Sequence, residues 1–596
     1  MTIDSQHANL DFLRSKIPII IGVTGHRDIR QDDIPKLQEQ VRKILEELHR
    51  KYPATSLLVL SPLAEGADRL VAQVALENTS NKQARARLFV PLPLPREEYE
   101  KDFETRESKT EFHDLLKQAW KCFELPLVTG NTSASIQQYG PDRNKQYAQV
   151  GAYIARHSHI LIALWDGKRS GLEGGTAQIV DFKLNGIPGP YAPQRPQLDI
   201  VDNGPVYHIV TPRIKNPTPD GTPFNLLIKF PEGWKSSDPL EVSYGRIFER
   251  MDTFNRDANN LCPRIGAEIE KNRQYVIPEP KALALSEAER FILDRYAIAD
   301  TLAVYFQRWR RLTLITLFLI AVVAVFSFEV YADLLAHPFI LAIYPLSLAT
   351  AASLYLVAKR KDFQNKHLDY RALAEGLRVQ LFWSVSGLSD EVADHYLRQH
   401  RTELEWIRNA IRAWNVVAEH GCVATGPTYE TIRRDPSKSL AIVLEHWVED
   451  QRKFFEKATK RDRDRLNHRE RIVLWFFFFG LGLAGLVVLL HLLLPEFREH
   501  SPLRHPLIVV MGIAPAIAAA IGGYAQKMAF SAQAKRYDWM RALFDRAARR
   551  LKLLLKGNDY QAAQQLILDL AIEALEENGD WVMIHRERTP DVYKGA

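Results

Sequence analysis

Four long stretches without a charged side chain constrain this chain more than any other feature. Residues 312–328, 338–358 and 506–526 contain no Asp, Glu, Lys or Arg, and residues 472–494 have only His491 as a titratable group. A helix needs about 20 mostly apolar residues to cross a hydrocarbon core. Three segments reach that length, and the first does so once part of residues 329–335 lies at the interface. The competing reading is four buried helices of a large soluble domain. It is disfavoured, because soluble helices rarely stay apolar around their whole circumference. The sequence therefore predicts an all-α membrane domain with four transmembrane helices and the lipid bilayer as a partner.

The flanking charges give an orientation. Arg308, Arg310 and Arg311 precede the first span, and Lys359, Arg360 and Lys361 follow the second, whereas residues 329–337 between them hold no Lys or Arg. By the positive-inside rule both ends of this hairpin are cytoplasmic. The basic run 460–471 precedes the third span and Lys527, Lys535 and Arg536 follow the fourth, although their loop holds Arg498 and Arg504. The expected placement is a multi-pass membrane protein with cytoplasmic N- and C-termini. The first apolar stretch of the chain, residues 19–23, contains Gly22 and is too short to span, and no secretory signal precedes it.

The two hairpins read as copies. His337-Pro338 opens the second span and His505-Pro506 the fourth, and Pro345 and Pro515 lie inside them. Beyond each span comes a related phrase, Arg371-Ala372-Leu373-Ala374-Glu375 and Arg541-Ala542-Leu543-Phe544-Asp545, at equal distance from the inner proline. Such repeats of two-span units suit a symmetric membrane assembly and a homo-oligomer. Small residues at close-packing spacing, Gly512 with Ala516 and Ala518 with Gly522, predict tight helix contacts.

Composition narrows the remainder. A balance of 78 basic against 72 acidic residues is too even to argue for nucleic acid. Cys122, Cys262 and Cys422 lie far apart without a CxxC pair, which fits a reducing compartment and excludes a cysteine-built zinc site. No metal is expected.

Residues 1 to about 230 alternate strands and helices. Apolar runs at 19–23, 56–60, 88–90 and 159–164 read as strands, with a helix at about 34–51 after the first and another from about Arg69. A further strand, 206–211, interrupts a Pro- and Gly-rich loop. This alternation predicts an α/β, Rossmann-like parallel sheet with helices on both faces. Three strands run into glycine turns: Gly22-Val23-Thr24-Gly25-His26-Arg27, then Ser61 through Glu65, Gly66 and Asp68 to Arg69, then Asp166-Gly167 followed by Gly171, Gly174, Gly175 and Thr176. Ligands of such sheets sit beyond the carboxyl ends of the strands. Glycine permits close backbone approach, and helix N-termini attract anions. Thr24, Ser61 and Thr176 supply hydroxyls, and Arg27, Arg69 and Lys168 supply charge. There is no GxxxxGK[ST] and no strict GxGxxG, so neither a P-loop nucleotidase nor a dinucleotide dehydrogenase is indicated. His26 and the pair His157 and His159 read as ordinary polar histidines. Tyr99, Asp102 and Phe103 either cover the ligand or pack against the sheet. The basic stretch 546–556 fits either anionic lipid or a solvated helix face.

These three turns resemble the SLOG superfamily of Rossmann-like nucleotide-ligand domains, which includes the Lonely Guy phosphoribohydrolases, DprA-like proteins and the sensor region of TRPM channels. The phrases Tyr296-Ala297-Ile298-Ala299-Asp300-Thr301-Leu302-Ala303 and Tyr370-Arg371-Ala372-Leu373-Ala374-Glu375-Gly376 resemble the SLATT two-span membrane effectors. The resemblance implies a SLOG-like sensor over residues 1–235, a helical connector over 236–310, and two-span units with cytoplasmic helices over 311–460 and 461–596. It further implies sensing of a nucleotide-derived small molecule, with no cofactor, and permeabilisation of the membrane in anti-phage defence. One departure weakens the enzymatic alternative, a membrane-anchored phosphoribohydrolase or N-glycosidase. Where the Lonely Guy pattern PGGxGTxxE carries its catalytic glutamate, this chain has Ile179, beside Gln178. Neither can act as a carboxylate base.

Overall fold

The computed structural model describes residues 16–77, 86–192, 201–231, 240–278, 285–396, 401–421, 435–494, 501–528 and 530–587. Cys422 and Arg498 lie outside them. The described residues form an α/β sheet of seven strands followed by an all-helical region containing four helices long and apolar enough to cross a membrane.

In the first of two compact units, the strands are β1 (Ile19–Gly25), β2 (Leu57–Leu60), β3 (Arg87–Leu92), β4 (Lys121–Glu124), β5 (Ile160–Trp165), β6 (Val206–Val210) and β7 (Leu226–Lys229). They lie in the order β4-β3-β2-β1-β5-β6-β7, all parallel except β7 against β6. The helices α1 (Ile34–Lys51), α2 (Ala67–Glu77), α3 (Arg106–Gln118), α4 (Pro141–His157) and α5 (Thr176–Asn185) connect them. β1, β2 and β5 are near-continuous apolar runs and are buried, as strands covered on both faces must be. In α1 the buried residues Leu37, Val41, Ile44, Leu45 and Leu48 recur at helical spacing and form one face. Strand order reverses between β1 and β5, which makes their carboxyl ends the switch point of the sheet.

The opposite, amino ends of the strands are covered by α6 (Leu240–Leu261). Asp252 there accepts from the Ala54 N–H and the Thr55 hydroxyl, and Asn255 exchanges hydrogen bonds with the backbone of Ile17. A helix from much later in the chain joins it, Arg401–Gly421, whose Trp414 indole donates to the Lys16 carbonyl. The units are thus interleaved in sequence. The first comprises Met1–Ala267, Ala284–Ile298 and Asp390–Thr431, and the second Glu268–Leu283, Ala299–Ser389 and Ile432–Ala596.

The second unit takes in α8 (Glu287–Asp333), a helix that follows α7 (Gly266–Val276), from Ala299 onwards, and continues through α9 (Pro338–Lys361) and α10 (Phe363–Ser386). With Arg401–Gly421 taken as α11, the later helices are α12 (Asp450–Leu493), α13 (Arg504–Lys527), α14 (Phe530–Lys556) and α15 (Tyr560–Glu587). The span–span–helix order of α8, α9 and α10 recurs in α12, α13 and α14. The break after the second span falls at Asp362, in a left-handed conformation.

Within this unit the fourth span packs on two neighbours. A Cβ on Gly512 would lie 2.8 Å from the Glu329 carboxylate, and one on Gly523 would lie 3.0 Å from the Phe318 ring, so this face meets the first span. Its other face, Ala514 with Pro515, meets Gly480 of the third span. Gly522 faces open space within the unit, although Ala518 is buried. The phrases after the spans differ in environment. Arg371 pairs with Asp300 and, at 2.5 Å, with Glu375, both well shielded, whereas Arg541 pairs with exposed Asp538. The basic stretch 546–556 is level with Glu449, which accepts from Lys552 at 2.5 Å. At 1.5 Å per residue that point lies about 35 Å before the apolar segment 472–494.

Candidate functional site at the sheet switch point

Two of the three glycine turns are stitched together directly. The Ala67 N–H at the start of α2 donates to the His26 carbonyl at 3.1 Å. Gly66 makes this approach possible. Its φ is +78°, and a Cβ would sit 2.4 Å from the Arg27 carbonyl oxygen and 2.5 Å from that of His26. The third turn joins through α4. Gly174 has φ +77°, and a Cβ there would strike Tyr147 at 2.7 Å. Tyr147 also lies under the Arg27 guanidinium, 5.4 Å from ring centroid to charge. The turns after β1, β2 and β5 therefore converge around Tyr147, beside the switch point.

Beneath them lies a buried polar cluster. Asp102 accepts from Arg143 at 2.5 Å and from the Tyr147 hydroxyl, and Arg27 stands 3.9 Å away. Arg143 also donates to the carbonyls of Ile136 and Glu98 and, through Nε, to the Tyr147 hydroxyl at 3.2 Å. Asp68 is also buried. Burial pushes its carboxyl up to about 7, against the pull of Arg27, the Ala64 N–H and Arg69. Arg27 keeps a half-exposed side chain, so it is the cation of this group that reaches solvent. Tyr99 and Phe103 pack against Phe112 in the core.

On the far side of the switch, His26 and Asp166 are 3.1 Å apart. The segment after β6 closes over them. Asn216 donates to the Asp166 carboxylate at 2.9 Å, and Arg213 faces His26 Nδ1 at 3.2 Å while pairing with Asp28 at 3.0 Å. Burial lowers the His26 pKa, with Asp166 opposing. Burial raises the Asp166 carboxyl, but hydrogen bonds from Asn216, the Lys168 N–H and His26 hold it below the usual range.

The residues singled out in the sequence thus divide. Gly25, His26, Arg27, Glu65, Gly66, Asp68, Asp166, Gly167, Gly174, Gly175 and Thr176 all lie on or under the carboxyl-end surface. Gly171 lies in the same loop, exposed, with nothing near its α-carbon. Gly22 sits in mid-strand, where a Cβ would strike Ile154 and Ser158 of the α4 end. Thr24 is buried. The Ser61 hydroxyl donates to the Asp68 carbonyl and accepts from the Leu63 N–H, which shapes the turn. Arg69 is buried, with its guanidinium on the Leu63 and Ser108 carbonyls, Glu111 and the Phe103 ring. Ile179 is buried against Gly151. Gly175 caps α5, and the Thr176 and Ala177 N–H groups beyond it have no partner among the described residues. They form a helix start able to accept an anion. Among the described residues, no group of three or more His, Cys, Asp and Glu side chains is placed to hold a metal ion.

Tyr147, Arg143, Arg213 and Asn216 escaped the sequence reading. Arg143 and Tyr147 stand four apart on one face of α4, a spacing that signals side-chain contact. No pattern marks the other two. A concave surface of about 550 Å³ lies away from this site, beside α3, lined by Gln73, Arg106, Glu107, Glu111 and Asp114. Its acidic rim suits no anion.

His157 and His159 are interior. His159 Nδ1 accepts from the Ile20 N–H at 2.9 Å, and Nε2 faces the Asn409 carbonyl. Burial pushes its pKa down to about 3, and burial takes His420 to about 4. An unfolded imidazole titrates near 6.5, so each contributes stability that is complete above about pH 6.5 and is lost as pH falls towards the folded value. The thermal midpoint of the α/β unit should therefore drop steadily below about pH 6.5. His159→Gln, whose amide oxygen can take the Ile20 N–H, should show a shallower drop. Identical acid profiles would exclude His159 as a source of this instability.

No protein-family model matches the chain, and no curated protein is significantly similar to it. The class defined by fold and site is an α/β Rossmann-like sheet joined to a four-helix apolar region.

Proposed function

We propose that this chain is a ligand-triggered membrane effector. A nucleotide-derived, phosphate-bearing molecule binds across the three turns, and its binding drives the four spans to breach the bilayer. The protein lies in the bacterial inner membrane with both termini cytoplasmic, as a homo-oligomer serving anti-phage defence, in line with the SLOG and SLATT likeness. The observation that carries the reading is the convergence of the turns around Tyr147, with the half-exposed Arg27 on one side and the free N–H groups of Thr176 and Ala177 on the other. A phosphate between a guanidinium and a helix start is favoured by both charge and hydrogen bonding.

The hydrolase reading has one observation in its favour, the Asp68 carboxyl raised to about 7, a value suited to acid–base work near neutrality. Against it, Asp68 is buried and already accepts from the Ala64 N–H, and Ile179 offers no carboxylate. Released base and phosphosugar on incubation with nucleotides would support the hydrolase.

The effector reading is tested in dye-loaded liposomes carrying the full chain. A nucleotide-containing bacterial extract should release the dye, and Arg27→Gln should reduce release by about tenfold or more, the loss expected for one charge-assisted phosphate contact. Binding without leakage at any protein density would reduce the protein to an anchored sensor. By linkage, ligand affinity should rise when the spans are held open.

A further inference from the structure

The second unit contains a buried cation that the ligand reading does not use. Arg310 stands two residues before the first apolar segment and is only 9% exposed. Its Nε has no hydrogen-bond partner, and no carboxylate among the described residues lies within ion-pair distance of it. A buried guanidinium without a counter-ion is costly, and native structures seldom leave one unanswered.

Tyr524 of the fourth span and His367 of α10 are within electrostatic reach of Arg310. Arg469, at the entrance to the third span, lays its guanidinium over the Tyr524 ring at 4.8 Å. Phe318 of the first span meets the same tyrosine edge-on at 6.3 Å. Arg469 thus lies on the ring of a tyrosine that is also within electrostatic reach of Arg310. Trp309, half exposed and stacked on Phe363 at 6.0 Å, marks this level as the aromatic belt where a bilayer turns polar. Basic recesses between spans at that depth are where phosphate headgroups are held.

We infer that Arg310, with Arg469 and the Tyr524 ring, forms a binding site for a phosphate monoanion at the polar end of the first, third and fourth spans, distinct from the site on the sheet. Its depth favours the headgroup of an anionic phospholipid over free phosphate. The inference rests on the four helices being embedded in a bilayer, which detergent-dependent extraction tests separately, and it does not rest on nucleotide sensing.

The test uses the full chain in nanodiscs made of equal parts phosphatidylcholine and phosphatidylglycerol. After exchange into detergent, mass spectrometry measures the lipid retained per chain. The wild type should retain phosphatidylglycerol in preference to phosphatidylcholine. Arg310→Gln should lower that retention by about tenfold, the loss expected for one charge-assisted contact. Arg310→Lys should keep part of it, and Arg308→Gln, on an exposed neighbour, should keep all of it. If Arg310→Gln does not accumulate, Arg469→Gln makes the same comparison. Inorganic phosphate added in excess separates the sources. Failure to displace the lipid supports a headgroup site, and displacement supports a site for phosphate from either source. No lipid preference in the wild type, or equal retention by Arg310→Gln, overturns the inference.

Discussion

Asp102→Ala should destabilise the α/β unit by about 3–5 kcal/mol, the usual consequence of removing one partner from a buried ion pair. Arg143 is almost wholly buried, and its Nη2 lies 2.5 Å from Asp102. Without that carboxylate the guanidinium remains in a low-dielectric interior with only carbonyls and Tyr147 for company. The damage should be local at first. Amide exchange along α4 and β3 should accelerate by about a hundredfold or more, since each 1.4 kcal/mol is a factor of ten. Asp102→Asn, which keeps an acceptor but no charge, should fall between the two. Because Tyr147 and Arg27 share this carboxylate, ligand affinity should fall with it. Exchange unchanged within a few-fold would mean that Arg143 finds another counter-charge.

Gly512→Leu should separate the first and fourth spans. The Glu329 carboxylate lies 2.8 Å from where a Cβ would stand, so a leucine must push that side chain out of the space between the two helices. Because that carboxylate ends a flexible side chain, the cost lies at the low end of the overpacking range, about 1 kcal/mol. In the liposome assay, the variant should lose ligand-triggered release. Gly522→Leu is the control, because nothing within the unit approaches Gly522. If Gly522→Leu also blocks release while the isolated fold stays intact, the position belongs to a contact between copies of the chain. Equal behaviour of Gly512→Leu and wild type would remove the first–fourth contact from the mechanism.

Features governed by long local patterns were legible in the sequence. The four spans needed only length and the absence of charge, and α1 was bounded by Pro35 and its apolar periodicity. β1, β2, β3 and β5 announced themselves as apolar runs because the sheet is covered on both faces. β4 and β7 did not. Each is a four-residue edge strand that the ladder to one neighbour holds in place, too short to show a period. The three turns were visible as glycine clusters at strand ends. What each side chain does there was not, because Ser61 and Arg69 are occupied by groups that tertiary folding brings to them. Arg213 and Asn216 come from a Pro- and Gly-rich segment whose position over His26 and Asp166 depends on the β6–β7 turn. The return of α11 to the amino ends of the sheet is a long-range event, and only Trp406 and Trp414, packed on Phe254, hint at a buried face.

In the proposed function the turns after β1, β2 and β5 hold a phosphate-bearing nucleotide. Gly175 offers the cleanest lesion. Its backbone is extended, and a Cβ would stand 3.0 Å from the Leu172 carbonyl oxygen and 3.5 Å from the Leu172 Cβ and the Ser170 hydroxyl, so the loop must give by a few tenths of an ångström to seat a larger residue at the cap of α5. Full-length wild type and Gly175→Trp should each be incubated with a bacterial small-molecule extract, desalted and denatured, and the released molecules identified by mass spectrometry. The account predicts a nucleotide-type phosphate species from the wild type and its loss from Gly175→Trp. The same species in equal amount from both proteins, or none from the wild type, would contradict it.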